Sequence, residues 1–165
     1  MTKIKAFKAL VYNPERIGDL NQVVCPPYDV ISAPAQEAHH QRSPFNLIHV
    51  LLGKDIPGED KYRRASRIFR NWLEEKILIQ DNKPAIYFYS QQYNIRGERK
   101  TRLGFISLLK LEDKQAAAQK RVPADQVRPG GAGAVFGHEN THLEAKHDRF
   151  RLIKQVKANL SPIFV

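Results

Sequence analysis

The densest set of proton-carrying and anion-holding side chains lies between Phe136 and Arg149, where His138, Glu139, Thr141, His142, Lys146, His147, Asp148 and Arg149 share one short run. His138, Glu139 and His142 spell H-E-x-x-H, which on a helix sets two imidazoles one turn apart for zinc and leaves the glutamate as general base. The neighbouring residues argue against that chemistry. A zinc helix must already be running at its first histidine, yet Pro129, Gly130, Gly131, Gly133 and Gly137 precede His138 and place it at a helix start or in a turn. A third ligand is also lacking, because no Asp, Glu or His follows Asp148, and Glu144 and His147 sit too close in sequence to close a tetrahedron. The run is read as no zinc site: acids, bases and cations gathered at the entry to a helix.

Positioning such groups needs a scaffold, and 165 residues suffice for one domain, 1–165, with a real core. No apolar run is long enough to cross a bilayer, and Met1 to Lys8 enters a strand-like alternation where a signal peptide would need an apolar centre, so no membrane association and a cytoplasmic location are expected. The single Cys25 agrees with a reducing compartment and, lying between Val24 and Pro26, reads as a packing residue. A formal net charge of +10 calls for an anionic partner: nucleic acid, an acidic protein surface or a phosphorylated small molecule. Because Lys and Arg occur in nearly every segment, charge alone favours a solvated surface over a nucleic-acid groove.

Along the chain, alternation from Ile4 to Val11 predicts a strand ending at Asn13-Pro14. Pro26 and Pro27 then remove two backbone donors and fix an extended path, so Tyr28 and Asp29 are presented from a stiff loop. Ser32 caps a short helix from Ala33 to His40, with His39 and His40 at its exposed end. Phe45 to Leu52 reads as a buried strand. The clearest helix runs from about Gly58 to Lys76, with Tyr62, Ala65, Ile68, Phe69, Trp72 and Leu73 on one face. Segments 84–94 and 100–111 flank Ile95-Arg96-Gly97-Glu98 and predict a long antiparallel hairpin. Its aromatics beside basic residues are able to stack bases, but core packing accounts for them and the RNA-recognition signature is absent. Residues 113–134 lose all periodicity and are expected to form a flexible loop. A helix over 145–157 follows, with Phe150, Ile153 and Val156 inward. The fold class expected is α+β: a mixed, mainly antiparallel sheet with a long hairpin, packed against two or three helices.

Several pieces in order carry a resemblance over nearly the whole chain: Phe7 to Leu10, Gly18 to Leu20, Val23 to Ser32, Pro44 to Asn46, Trp72 to Glu75, Ala85 to Tyr87, Gly104 to Ile106, His138 to Thr141, Lys146 with Asp148 and Arg149, and Ala158 to Phe164. The sequence resembles the bacterial and archaeal domain-of-unknown-function family ten-fifteen. Its members are similar over a longer chain that continues past the Ser161 to Phe164 segment to an Asp-Gly-His-His-Arg motif like that of ParB-related serine kinases. Some are assigned ATP-dependent L-serine kinase activity. The motif is absent here, so the resemblance implies the amino-terminal part of a serine-kinase-like protein, inactive alone. Two departures stand out: 114–134 is longer and richer in Ala and Gly than the family's connection, and Gly137 stands where Pro is common.

On that reading Lys146 and Arg149 suit phosphate oxygens, with Thr141 and the amides of a helix start adding contacts. Glu139 or Asp148 would hold magnesium or accept a substrate proton, with His138 beside them. Tyr28 and Asp29 would bind the amino-acid substrate, so the proline elbow and the charged run are expected to converge on one anionic ligand. Implied partners are ATP with magnesium, a small amino acid, and a carboxy-terminal fragment or a second copy. The alternative is a basic ParB-like module that binds nucleic acid or a protein partner without catalysis.

Overall fold

The computed structural model describes residues 3–110 and 143–160, with the side chains of the last helix described from His147 onward. The expected loop at 113–134 lies outside these residues. Two compact units form: one from residues 3–9 and 82–110, the other from residues 10–81 and 143–160.

The first unit is built on strands. β1 (Ile4–Lys5) has an antiparallel partner late in the chain, an isolated bridge joins Phe7 to Ala85, and a hairpin of nine-residue strands extends beyond. The hairpin is β4 (Tyr87–Ile95) against β5 (Glu98–Ile106), turning at Arg96 and Gly97 with φ of 50° and 83°. Both values lie in the left-handed region, as a two-residue hairpin turn requires, and Gly97 takes the larger at no steric cost. Opposite Tyr89, Gly104 leaves room for the tyrosine ring to lie across the strand where any Cβ would collide with it. β6 (Leu108–Leu109) then pairs with β1.

The second unit holds the helices. β2 (Leu10–Tyr12) pairs antiparallel with β3 (Leu78–Gln80). Short α1 (Pro14–Ile17) and α2 (Leu20–Val23) follow, capped by Asn13 and Asp19. A turn of 3-10 helix covers Tyr28–Val30, and α3 (Ala33–Arg42) starts at its expected Ser32 cap. After α4 (Ile48–Leu51) comes α5 (Lys61–Glu74), whose Asp60 side chain accepts from the amides of Tyr62 and Arg63 at 2.9 Å each. The last helix, α6 (Leu143–Val156), packs against α5. Val50, Ala65, Phe69, Trp72, Leu152 and Val156 meet in the core between these helices.

The α+β class is as expected, but several details differ. In place of one mixed sheet there are three two-stranded ladders, all antiparallel among the described residues. The amino-terminal strand divides because Ile4–Lys5 and Leu10–Tyr12 pair in different units. The strand predicted at Phe45 to Leu52 is a turn and a helix: Asn46 Oδ1 accepts from Ile48 N at 3.0 Å and starts α4, a local bond that composition alone does not reveal. α6 turns Leu152 and Val156 inward, whereas Phe150 is 66% exposed and Ile153 also faces out. His39 is buried and His40 half-buried, contrary to a surface placement, because α3 packs on α4 and the two Nδ1 atoms of His40 and His49 meet at 3.0 Å.

Charge is shared unevenly. Within the described residues the strand unit carries nine lysines and arginines against a single acid, Glu98, a balance of +8. The helical unit carries fourteen against twelve, a balance of +2. Scattered in sequence, the basic residues are uncompensated mainly in one unit. No helix among the described residues is long and apolar enough to cross a membrane.

Candidate functional site

The elbow that carries Tyr28 is anchored from within. Asn46 is fully buried, and its Nδ2 donates to Gln22 O at 2.7 Å and Val24 O at 3.1 Å, holding the chain just ahead of Cys25, Pro26 and Pro27. Tyr12 OH donates to Phe45 O at 2.9 Å, tying β2 to the same turn; burial, then the neighbouring Cys25, pushes that phenol well above its ordinary range. Burial raises the Cys25 thiol to about 11, so it stays protonated and inert at neutral pH, as a packing residue does.

From this support the Tyr28 ring meets Arg149 of α6, whose guanidinium carbon lies 4.1 Å from the ring centroid. Arg149 Nη1 donates to Leu51 O at the end of α4 at 2.7 Å, and its Nε donates to Asp148 Oδ2 at 3.1 Å, with Nη2 on the same oxygen. The other carboxylate oxygen, Oδ1, accepts from Tyr62 OH at 2.7 Å and has Lys61 Nζ at 3.8 Å. Lys61 also reaches Asp55 at 3.3 Å. Together Lys61, Tyr62, Asp148 and Arg149 border a shallow depression floored by Val50, Leu51 and Leu152. About 10 Å³ is free there, room for about one water.

Electrostatics at the site favour an ionised Asp148. Partial burial works against its charge, but the Tyr62 hydroxyl, Arg149 and Lys61 outweigh it and hold the carboxyl below its usual range. Tyr62 moves the other way, raised by burial and then by its bond to Asp148. A carboxylate stabilised in this manner is a weak proton acceptor and a good partner for a cation.

Of the residues singled out in the sequence, Tyr28, Asp148 and Arg149 come together. Asp29 is exposed beside Tyr28. Lys146 lies on α6, with its side chain outside the described set. His138, Glu139 and Thr141 lie outside the described residues altogether. Lys61, Tyr62 and the Leu51 carbonyl were missed. The available signal for the first two was their place in the first turn of the clearest helix, next to its aspartate cap. Among the described residues no group of three His, Cys, Asp or Glu side chains is arranged to hold a metal ion.

A family model described as protein of unknown function, DUF1015, matches residues 4–165. The chain belongs to this family. No curated protein and no solved structure matches it. The match spans both units of the DUF1015 chain, so the proline elbow, the Asn46 anchor and the Asp148-Arg149 pair all fall within the family region.

The Asp148 cluster makes a pH prediction. A carboxyl whose folded value is depressed contributes stability that is full above the unfolded value, near 4, and lost as pH falls through the folded value. Urea unfolding of wild type and Asp148→Asn is expected to differ at pH 7 and to converge toward pH 3. A gap that stays constant over that range would mean the charge of Asp148 contributes nothing.

Proposed function

We propose that this DUF1015 chain is the amino-terminal part of a serine-kinase-like phosphoryl-transfer protein, contributing substrate or nucleotide contacts and catalysing no turnover alone. The observation that supports this reading is the stacking of Arg149 on Tyr28, with Asp148 and Lys61 alongside. Phosphoryl transfer asks a protein chiefly to position reactants and to offset spread negative charge. Arg149 has five N–H donors, of which three are engaged, one by the Leu51 carbonyl and two by Asp148.

Asp148 sits on the Nε and Nη2 edge that a phosphate or carboxylate would take, and the depression is too small for either. An incoming anion therefore competes with Asp148, which on turning away is free to face magnesium. The residues expected to complete the site in this reading are His138, Glu139, Thr141 and Lys146, with Asp29 toward the amino acid. ATP with magnesium and L-serine are the ligands, and the cytoplasm the setting.

The test is formation of phosphoserine from L-serine and ATP. Product is expected only when the continuation of a family chain is supplied, and Arg149→Ala is expected to slow it at least tenfold, about 1.4 kcal/mol of barrier. An undiminished rate in the variant would remove Arg149 from the reaction. A second reading, a basic ParB-like module that binds nucleic acid without catalysis, is supported by the concentration of charge in the strand unit.

A further inference from the structure

The two faces of the β4–β5 hairpin differ in what they leave open. Tyr87, Tyr89 and Tyr93 lie half-buried on one face. On the other, Phe88 pairs with Phe105 and Ser90 with Leu103, and these large apolar groups are 83% (Phe88), 54% (Phe105) and 77% (Leu103) exposed. Core packing, which accounted for such aromatics in the sequence, does not hold for this face. The Phe88 and Phe105 rings sit side by side on neighbouring strands with centroids 6.3 Å apart. Farther along, Gln92 pairs with Thr101 and Asn94 with Arg99, continuing the same face with hydrogen-bonding groups toward the basic tip.

We infer that this face of the hairpin is a stacking platform for single-stranded nucleic acid, with Phe88 and Phe105 taking unpaired bases and Arg99, on the same face toward the tip, taking a phosphate. Charge complementarity selects the partner: a unit with nine basic side chains and one acid suits a polyanion. The exposed rings select a single strand, because duplex bases offer no free π-face. Amide and hydroxyl side chains beside the rings match base edges, which acyl chains of an anionic membrane lack. The inference is independent of phosphoryl transfer and gives the nucleic-acid reading a defined site.

Fluorescence anisotropy with a labelled single-stranded oligothymidine, using the whole chain over a range of salt, tests it. Binding should weaken steeply with salt and exceed that of a duplex of equal length. Phe88→Ala with Phe105→Ala, both exposed positions, should lower affinity at least tenfold with an unchanged salt slope. Arg99→Ala, on the same face as the rings, should instead flatten the slope. Absence of binding overturns both the platform and the nucleic-acid reading. Salt-dependent binding indifferent to the two rings, or equal affinity for duplex, overturns the platform alone. Phe-dependent self-association without oligonucleotide binding, or Phe-dependent binding to anionic phospholipid vesicles in its place, assigns the face to another partner and equally overturns it.

Discussion

Asn46→Ala is expected to destabilise the chain by about 3 kcal/mol, measured by urea unfolding. The substitution removes one small polar side chain but strands three backbone groups: the carbonyls of Gln22 and Val24 and the amide of Ile48. An unpaired buried polar group costs roughly 1–3 kcal/mol, and solvent reaching the outer carbonyls keeps the sum near the lower end. Asn46→Asp should not restore stability, since it keeps the acceptor for Ile48 but loses both donated bonds and buries a charge. The elbow loses its anchor in either variant, so the contact of Tyr28 with Arg149 should loosen as well. A cost below about 1 kcal/mol would show that the elbow is held by its prolines and by the Leu47 amide donating to Val23 O, without need of Asn46.

Trp72→Ala should cost about 3–5 kcal/mol, the usual range for deleting a large aromatic from a core. Trp72 is almost fully buried, in tilted contact with Tyr12 at 6.2 Å and edge-on to Phe45 at 6.5 Å. It thereby joins α5 to β2 and to the turn before α4. Against a typical total stability of about 5–15 kcal/mol, such a loss brings the helical unit close to unfolding at room temperature. Circular dichroism melting gives the readout, with the variant expected to melt far earlier. Retention of the wild-type transition would move the centre of the core away from α5.

Where local chemistry decides conformation, the sequence was readable. α5 follows from an apolar face that repeats at helical spacing, though the Asp60 cap sets its start at Lys61 and not at Gly58, and the hairpin follows from Arg96-Gly97 between two alternating runs. α4 was hidden because a short apolar run suits strand or helix equally, and the choice falls to the Asn46 side chain bonding two residues ahead. β3 went unseen for a related reason: Leu78–Gln80 acquires its state from β2, distant in sequence. Val156 lies inward on α6 as expected, but Phe150 and Ile153 do not, because apolar residues occupy both sides of that helix and only the position of α5 selects Leu152 beside Val156.

The site divides in the same manner. Tyr28 was marked by the paired prolines before it, and Asp148 with Arg149 by their charged surroundings. Lys61 and Tyr62 carried no comparable mark, since a helix start with a lysine and a tyrosine is ordinary until another helix brings Asp148 against it. The hairpin shows the opposite failure. Its aromatics were assigned to a core by composition, and pairing on an open face leaves Phe88 and Phe105 in solvent.

The proposal that Arg149, stacked on Tyr28, receives an anion in competition with Asp148 is tested by calorimetric titration of wild type and Arg149→Ala with magnesium-ATP. Heat of binding in the wild type, with affinity at least tenfold weaker in the variant, is the result predicted. Equal affinity in the two proteins would contradict it and leave the Tyr28, Asp148 and Arg149 cluster as a fastening between elements of the helical unit.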